Sequence, residues 1–220
     1  MIKFLKYYFY LFSNWNIRIA THIIINEIKG ERKYNIDTTG ADELESLRKS
    51  GIDTSHATIY MPVSYDILES ILQKVSEMGC NQLTDIGCGK GRVMCVAAHY
   101  GIHNLRGVDI SKEFCEKAKS NLKKTASKIK NLNYEVRNDD AFYFDIATDT
   151  ECVFLFNPFD EIIMSGVIQN ILKSLKLQPR KLIIVYMNPL YEKQFLSAGF
   201  KKVYSEKKLE YLDGAIYVKE

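Results

Sequence analysis

The chain has 220 residues, 46% of them hydrophobic and 26% charged, which suits one medium-sized globular domain with a decorated end and excludes disordered and repeat architectures. A formal net charge of +3 is too small to name a partner. Five cysteines without a CxxC pair and four histidines without ligand spacing exclude a disulfide framework and a zinc site, and the thiols read as small buried groups in a reducing cytoplasm.

Residues 4–12 are strongly aromatic. They lack the aliphatic run and small-residue cleavage site of a secretory signal. Lys6, Ser13, Asn14, Asn16 and Arg18 interrupt them too often for a transmembrane segment, which needs about 20 mostly apolar residues. Packing against the domain is the plainer reading, and contact with a membrane surface is the other. Ile17, Ala20, Ile24 and Ile28 follow at helical spacing and predict one apolar face. Gly30, Gly40 and Gly51 then punctuate an irregular stretch around a polar helix at 42–49. Residues 1–55 thus form an N-terminal helical extension, and 56–220 the main domain.

From there the pattern is regular. A helix at 62–77 leads to a strand at 82–86, a helix at 90–100, a strand at 105–108 and a Lys-rich helix from Ser111. The bases of that helix read as a solvated face opposite Phe114, Ala118, Leu122 and Ile129, with attraction of nucleic acid as the alternative. No DNA-binding motif is present. Strands at 133–136, 152–156 and 182–186 follow, the last two continuously apolar, as in strands buried on both faces. Between those two, Ile163, Val167, Ile171 and Leu175 mark a helix. A short helix at 191–198 stops at Gly199, and two alternating strands near 202–206 and 215–219 close the chain. The alternation predicts an α/β fold: a Rossmann-like, doubly wound, mainly parallel seven-stranded sheet with helices on both faces. Its ligand site is expected beyond the carboxyl ends of the strands, where the strand order reverses.

Gly87, Gly89 and Gly91 fall where the first strand hands over to a helix, with Asp85 before them and Asp109 at the end of the next strand. Glycine allows a tight turn and close ligand approach, and the helix start beyond it offers unpaired N–H groups. A carboxylate at Asp109 suits the hydroxyls of a ribose. The loop lacks GxxxxGK[ST], so neither lysine nor hydroxyl is placed for a triphosphate and its magnesium.

Asp85-x-Gly87-x-Gly89-x-Gly91 resembles the first motif of class I S-adenosylmethionine-dependent methyltransferases. Asp109 matches the ribose-binding acid of that family, Asp140-Ala141 its adenine-binding motif, and Phe156-Asn157-Pro158-Phe159 the motif after its fourth strand. Together with Tyr60-x-Pro62-x-x-Tyr65, the pattern resembles small bacterial methyltransferases with an FNPF motif. The resemblance implies S-adenosyl-L-methionine held by Tyr60, Asp85, Gly87, Cys88, Gly89, Gly91, Asp109, Ile110, Asp140, Ala141 and Asn157, with Tyr60 as a wall at its methionine end. It implies catalysis at Asn157, Pro158 and Phe159, without a metal, on an acceptor that is a protein, RNA or small molecule, an amine nitrogen being favoured. The sequence departs from the Asn-Pro-Pro-aromatic motif of many amine-methylating members, and Asp160 suits a helix cap as well as a substrate cation. Two alternatives stand beside this reading. Tyr204-x-x-x-Lys208 matches the pair of short-chain reductases, and a methyltransferase-like fold can bind RNA or protein without catalysis.

Overall fold

The computed structural model describes residues 2–41, 60–156, 159–209 and 212–220. The expected helix at 42–49 and the division at 55/56 lie outside the described residues. Two helices open the chain, α1 (Ile2–Asn14) and α2 (Ile17–Tyr34). The Asn16 side chain accepts from the Ile19 N–H and caps α2, and Asn35 ends it at a left-handed φ of 58°. The buried stripe of α2 includes Ala20 and, partly, Ile24 of the expected face but is rotated from it. Ile19, Ala20 and Ile23 pack inward, while Ile17 is 62% exposed, because Glu27, Gly30 and Tyr34 are buried too and rotate the inner face.

The remaining elements are α3 (Tyr65–Glu77), β1 (Gln82–Ile86), α4 (Arg92–His99), β2 (Asn104–Asp109), α5 (Lys112–Ala126), β3 (Asn133–Asn138) and β4 (Cys152–Phe156). After them come α6 (Glu161–Leu177), β5 (Leu182–Met187), α7 (Glu192–Ser197), β6 (Lys201–Lys208) and β7 (Leu212–Lys219). All seven strands form one sheet in the order β3-β2-β1-β4-β5-β7-β6. β1 to β5 pair in parallel, and β7 runs antiparallel between β5 and β6. This is the expected Rossmann-like fold with N-terminal helices added. Its order reverses between β1 and β4, which leaves a crevice at their carboxyl ends.

Strand periodicity divides the interior in two. Phe154, Ile183 and Val185 face a core shared with α3, α4 and α5, whereas Val153, Leu155 and Ile184 face one shared with α6 and α7. Burial on both faces explains the unbroken apolar runs of β4 and β5. α5 buries Phe114, Ala118 and Leu122 and exposes Lys112, Lys119, Lys123 and Lys124, while Lys117 pairs with Asp37 and Lys119 with Glu116.

Candidate functional site

The chain leaves β1 at Ile86 and turns through residues 87–91 into α4. Gly87, Gly89 and Gly91 hold φ values of 78°, 52° and 79°, a region where a side chain is strained. Four N–H groups of this loop are spent internally. Those of Gly87 and Cys88 donate to the Val108 carbonyl at 2.9 and 3.0 Å, and that of Gly91 to Cys88 at 2.9 Å. The Gly89 N–H donates to Asp109 Oδ2 at 2.8 Å. Parallel pairing with β2 thus satisfies two of these four, the Asp109 carboxylate the third and the turn's own Cys88 carbonyl the fourth.

Two carboxylates at the ends of β1 and β2 flank the loop. Asp85 is fully buried on β1, and its Oδ2 has no partner among the described residues. Burial pushes its carboxyl well above the usual carboxylate range, and the nearby charge of Asp109 pushes it further. Asp109 also accepts from the Ser111 N–H through Oδ1 at 2.8 Å. Burial raises its pKa, against the lowering effect of its two backbone donors. Ile110 follows it, half-buried, its carbonyl accepting from Asn138 Nδ2 at 2.8 Å. Asp140 opens a turn beyond β3, where its Oδ1 accepts from the Phe142 N–H at 2.8 Å, and Ala141 is buried beside it.

Tyr60 lies on top of the loop. A Cβ at Gly89 would stand 2.4 Å from its Cε2, so glycine is required there by the ring as well as by φ. The Tyr60 ring is 4.7 Å from Phe114, and Lys90 Nζ lies 4.6 Å from its centroid. Its hydroxyl donates to the Thr38 carbonyl at 2.7 Å. Thr38 is itself held by residues that the sequence does not single out. Arg92 Nε donates to Thr38 Oγ1 at 2.8 Å, and Nη1 donates to the Val63 carbonyl at 2.7 Å. The same guanidinium engages both carboxylate oxygens of Glu27, with both side chains buried. Glu31 accepts from the Thr38 and Thr39 N–H groups. The available signal was a charged pair in apolar surroundings: Glu27 within the apolar pattern of α2, and Arg92 at the first turn of α4.

Beyond β4, Asn157 and Pro158 lie outside the described residues. Phe159 is half-buried against the core shared with α6 and α7. Asp160 caps α6, accepting from the Ile162 and Ile163 N–H groups at 3.1 Å. A shallow groove of about 430 Å³ runs nearby between Phe142, Glu161, Ser165 and Gln194. Tyr204 and Lys208 lie on the edge strand β6, where both contact Glu206. Four sheet positions separate β6 from β1, about 19 Å at normal strand spacing. That distance removes the reductase reading. Among the described residues no group of acids, histidines or cysteines has metal-binding geometry, and all five cysteines are buried and free.

Residues 83–177 match a family model described as a methyltransferase domain. No curated protein matches the chain. Among solved structures, the magnesium protoporphyrin IX methyltransferase of Synechocystis PCC 6803 with bound SAM is similar at 15% identity and TM-score 0.56, over 88% of this chain and 91% of that one. The methyltransferase domain of bacterial CtHen1 gives 14% and 0.55 over 72% of this chain and all of that one. The small RNA methyltransferase HEN1 gives 17% and 0.57 over 72% of this chain and 25% of that one. The chain therefore has the Rossmann-like fold of these methyltransferases, with the carboxylates of Asp85 on β1 and Asp109 on β2 flanking the glycine loop at the reversal of its sheet.

The residues present fit S-adenosylmethionine. That molecule carries a ribose diol, an ammonium, a carboxylate and a sulfonium, with net charge +1, and it lacks phosphates. Asp109 uses two of about four carboxylate acceptor sites and retains capacity for hydroxyls. The partnerless oxygen of Asp85 suits a donor or a positive charge.

Proposed function

We propose that this chain is an S-adenosylmethionine-dependent methyltransferase acting on an amine nitrogen of a protein, RNA or small molecule in the cytoplasm. The observation that carries the reading is the internal use of the Gly87, Cys88, Gly89 and Gly91 N–H groups beside the partnerless buried oxygen of Asp85. A triphosphate finds neither a lysine nor a hydroxyl placed for it in this loop. A cationic, phosphate-free cofactor gains from Asp85 and Asp109.

In this reading Asp109 takes the ribose hydroxyls, and Asp140 with the Ala141 N–H takes the adenine. Gly87, Cys88, Gly89, Gly91 and Ile110 shape the floor, Asp85 supports it from below, and Tyr60 walls it. When bound, S-adenosylmethionine supplies an electrophilic methyl group for in-line displacement. The chain's own task is orientation and exclusion of water, because little proton transfer is obligatory. Asn157, Pro158 and Phe159 are assigned to the acceptor side, where the asparagine takes a hydrogen bond from an amine. One feature favours the second reading, a non-catalytic binding module: the Tyr60 ring already covers Gly89.

Calorimetry with S-adenosylmethionine, S-adenosylhomocysteine, NADH and ATP tests the cofactor. Heat is expected with the first two alone, and none with either sulfur compound refutes the reading. Labelled methyl transfer into fractionated protein, RNA and metabolite pools then separates enzyme from binding module.

A further inference from the structure

Lys3, Lys6 and Arg18 account for the whole formal charge of +3, because residues 1–26 contain no acid and the rest of the chain is balanced. The same stretch holds half of the large hydrophobic side chains exposed among the described residues. Ile2, Leu5, Phe9 and Phe12 of α1 are 72, 58, 56 and 48% exposed, and Ile17 and Ile25 of α2 are 62 and 45% exposed. The four on α1 recur at intervals of 3, 4 and 3 residues, a single helical stripe. Tyr7 and Leu11 occupy its opposite side and are buried against Ile19, Ala20 and Ile23 of α2. The helix is thus held to the protein by one apolar face and presents a second to solvent. Exposed patches of this kind on soluble domains mark interaction surfaces.

We propose that the outer face of α1, continued by Ile17 at the start of α2, docks on the surface of a bilayer rich in anionic phospholipid. Charge complementarity selects this occupant. Lys3 is held by Glu31 and Asp37, but Lys6 and Arg18 are exposed beside the apolar stripe with no acid in the stretch to balance them. A symmetric contact with a second copy would bring the same patch, with its uncompensated bases, against itself. Lipid phosphates would neutralise those bases while the aromatic side chains enter the headgroup boundary. The thirteen residues of α1 extend only about 20 Å, short of the roughly 30 Å of a hydrocarbon core, and no helix among the described residues is long and apolar enough to cross a membrane. The helix lies along the surface and does not span it. Tyr8, Tyr10 and Trp15 line the same hairpin core as Met61, the neighbour of Tyr60, so the inner side of α1 packs near the covered loop.

The full chain is mixed with vesicles of phosphatidylglycerol and phosphatidylcholine, or of phosphatidylcholine alone, and sedimented. Binding is expected on the anionic vesicles and should be at least about tenfold weaker on neutral ones or in high salt. Lys6→Glu with Arg18→Glu should weaken it about tenfold or more, and Phe9→Asp with Phe12→Asp should abolish it with circular dichroism unchanged, since neither ring is in the core. Trp15 is the sole tryptophan, so quenching of its fluorescence by brominated lipid gives a second readout. Absence of binding to anionic vesicles overturns the proposal. A dimer in sedimentation velocity that the Phe9 and Phe12 substitutions dissociate would overturn it too, assigning the face to a second copy.

Discussion

Asp85→Asn is expected to stabilise the chain at neutral pH and to weaken its hold on S-adenosylmethionine. Asp85 is buried with one oxygen unpartnered, and its carboxyl titrates well above the ordinary 3.8. Between those two values the folded chain keeps a proton that the unfolded chain has lost. The folded state then binds more protons, so stability falls as pH rises, by up to about 1.4 kcal/mol per pH unit. Asparagine does not titrate and removes this slope. The difference between variant and wild type should be near zero at about pH 4 and widen to about 1–3 kcal/mol at neutral pH, the usual cost of an unsatisfied buried polar group. For a chain of this length each kcal/mol moves Tm by about 2–4 °C. Urea denaturation of both proteins across this pH range measures it. A variant less stable than wild type at neutral pH, or a gap independent of pH, would refute the reasoning. In parallel, cofactor affinity should fall tenfold or more, and unchanged affinity would remove Asp85 from the site.

Glu27→Gln leaves the Arg92 guanidinium buried without its counter-charge and should cost about 3–5 kcal/mol in urea denaturation; a loss under about 1 kcal/mol would mean that Thr38 and Val63 suffice for Arg92. Gly89→Ala should cost about 1–3 kcal/mol from its φ of 52° alone, with more from the Tyr60 ring. A double-mutant cycle with Tyr60→Ala should recover the steric part, and strict additivity would show that the ring moves aside freely. Asp109→Ala should weaken cofactor binding tenfold or more by titration, because it removes both a hydroxyl acceptor and the anchor of the Gly89 N–H. Equal affinity would exclude Asp109.

The parallel sheet was legible because its signals are local and periodic. Cys152–Phe156 and Leu182–Met187 are apolar without interruption, as strands covered on both faces must be. The Gly87–Gly91 turn was legible for a similar reason: three glycines between a strand and a helix have few other uses. The inner face of α2 was not. Its helical period was evident, but Glu27 and Glu31 read as polar positions, and only Arg92, Lys3 and the Thr38–Thr39 backbone, distant in sequence, make their burial tolerable. The spending of the loop's N–H groups was equally hidden. It depends on Val108 and Asp109 arriving at the right height through the pairing of β2 with β1, a register that no single segment encodes.

An unfavourable arrangement sits at the end of β1, and its place is informative. A buried carboxylate oxygen without a partner is expensive, and a fold selected for stability alone would replace it with little disturbance. Asp85 instead sits within a few residues of the sheet's reversal, while the charges most deeply buried elsewhere, Glu27 and Arg92, are paired and hydrogen-bonded. Stability is given up where a ligand would restore it. A bound cation or hydroxyl satisfies Asp85, so cofactor binding should raise Tm in wild type by more than in Asp85→Asn at equal saturation.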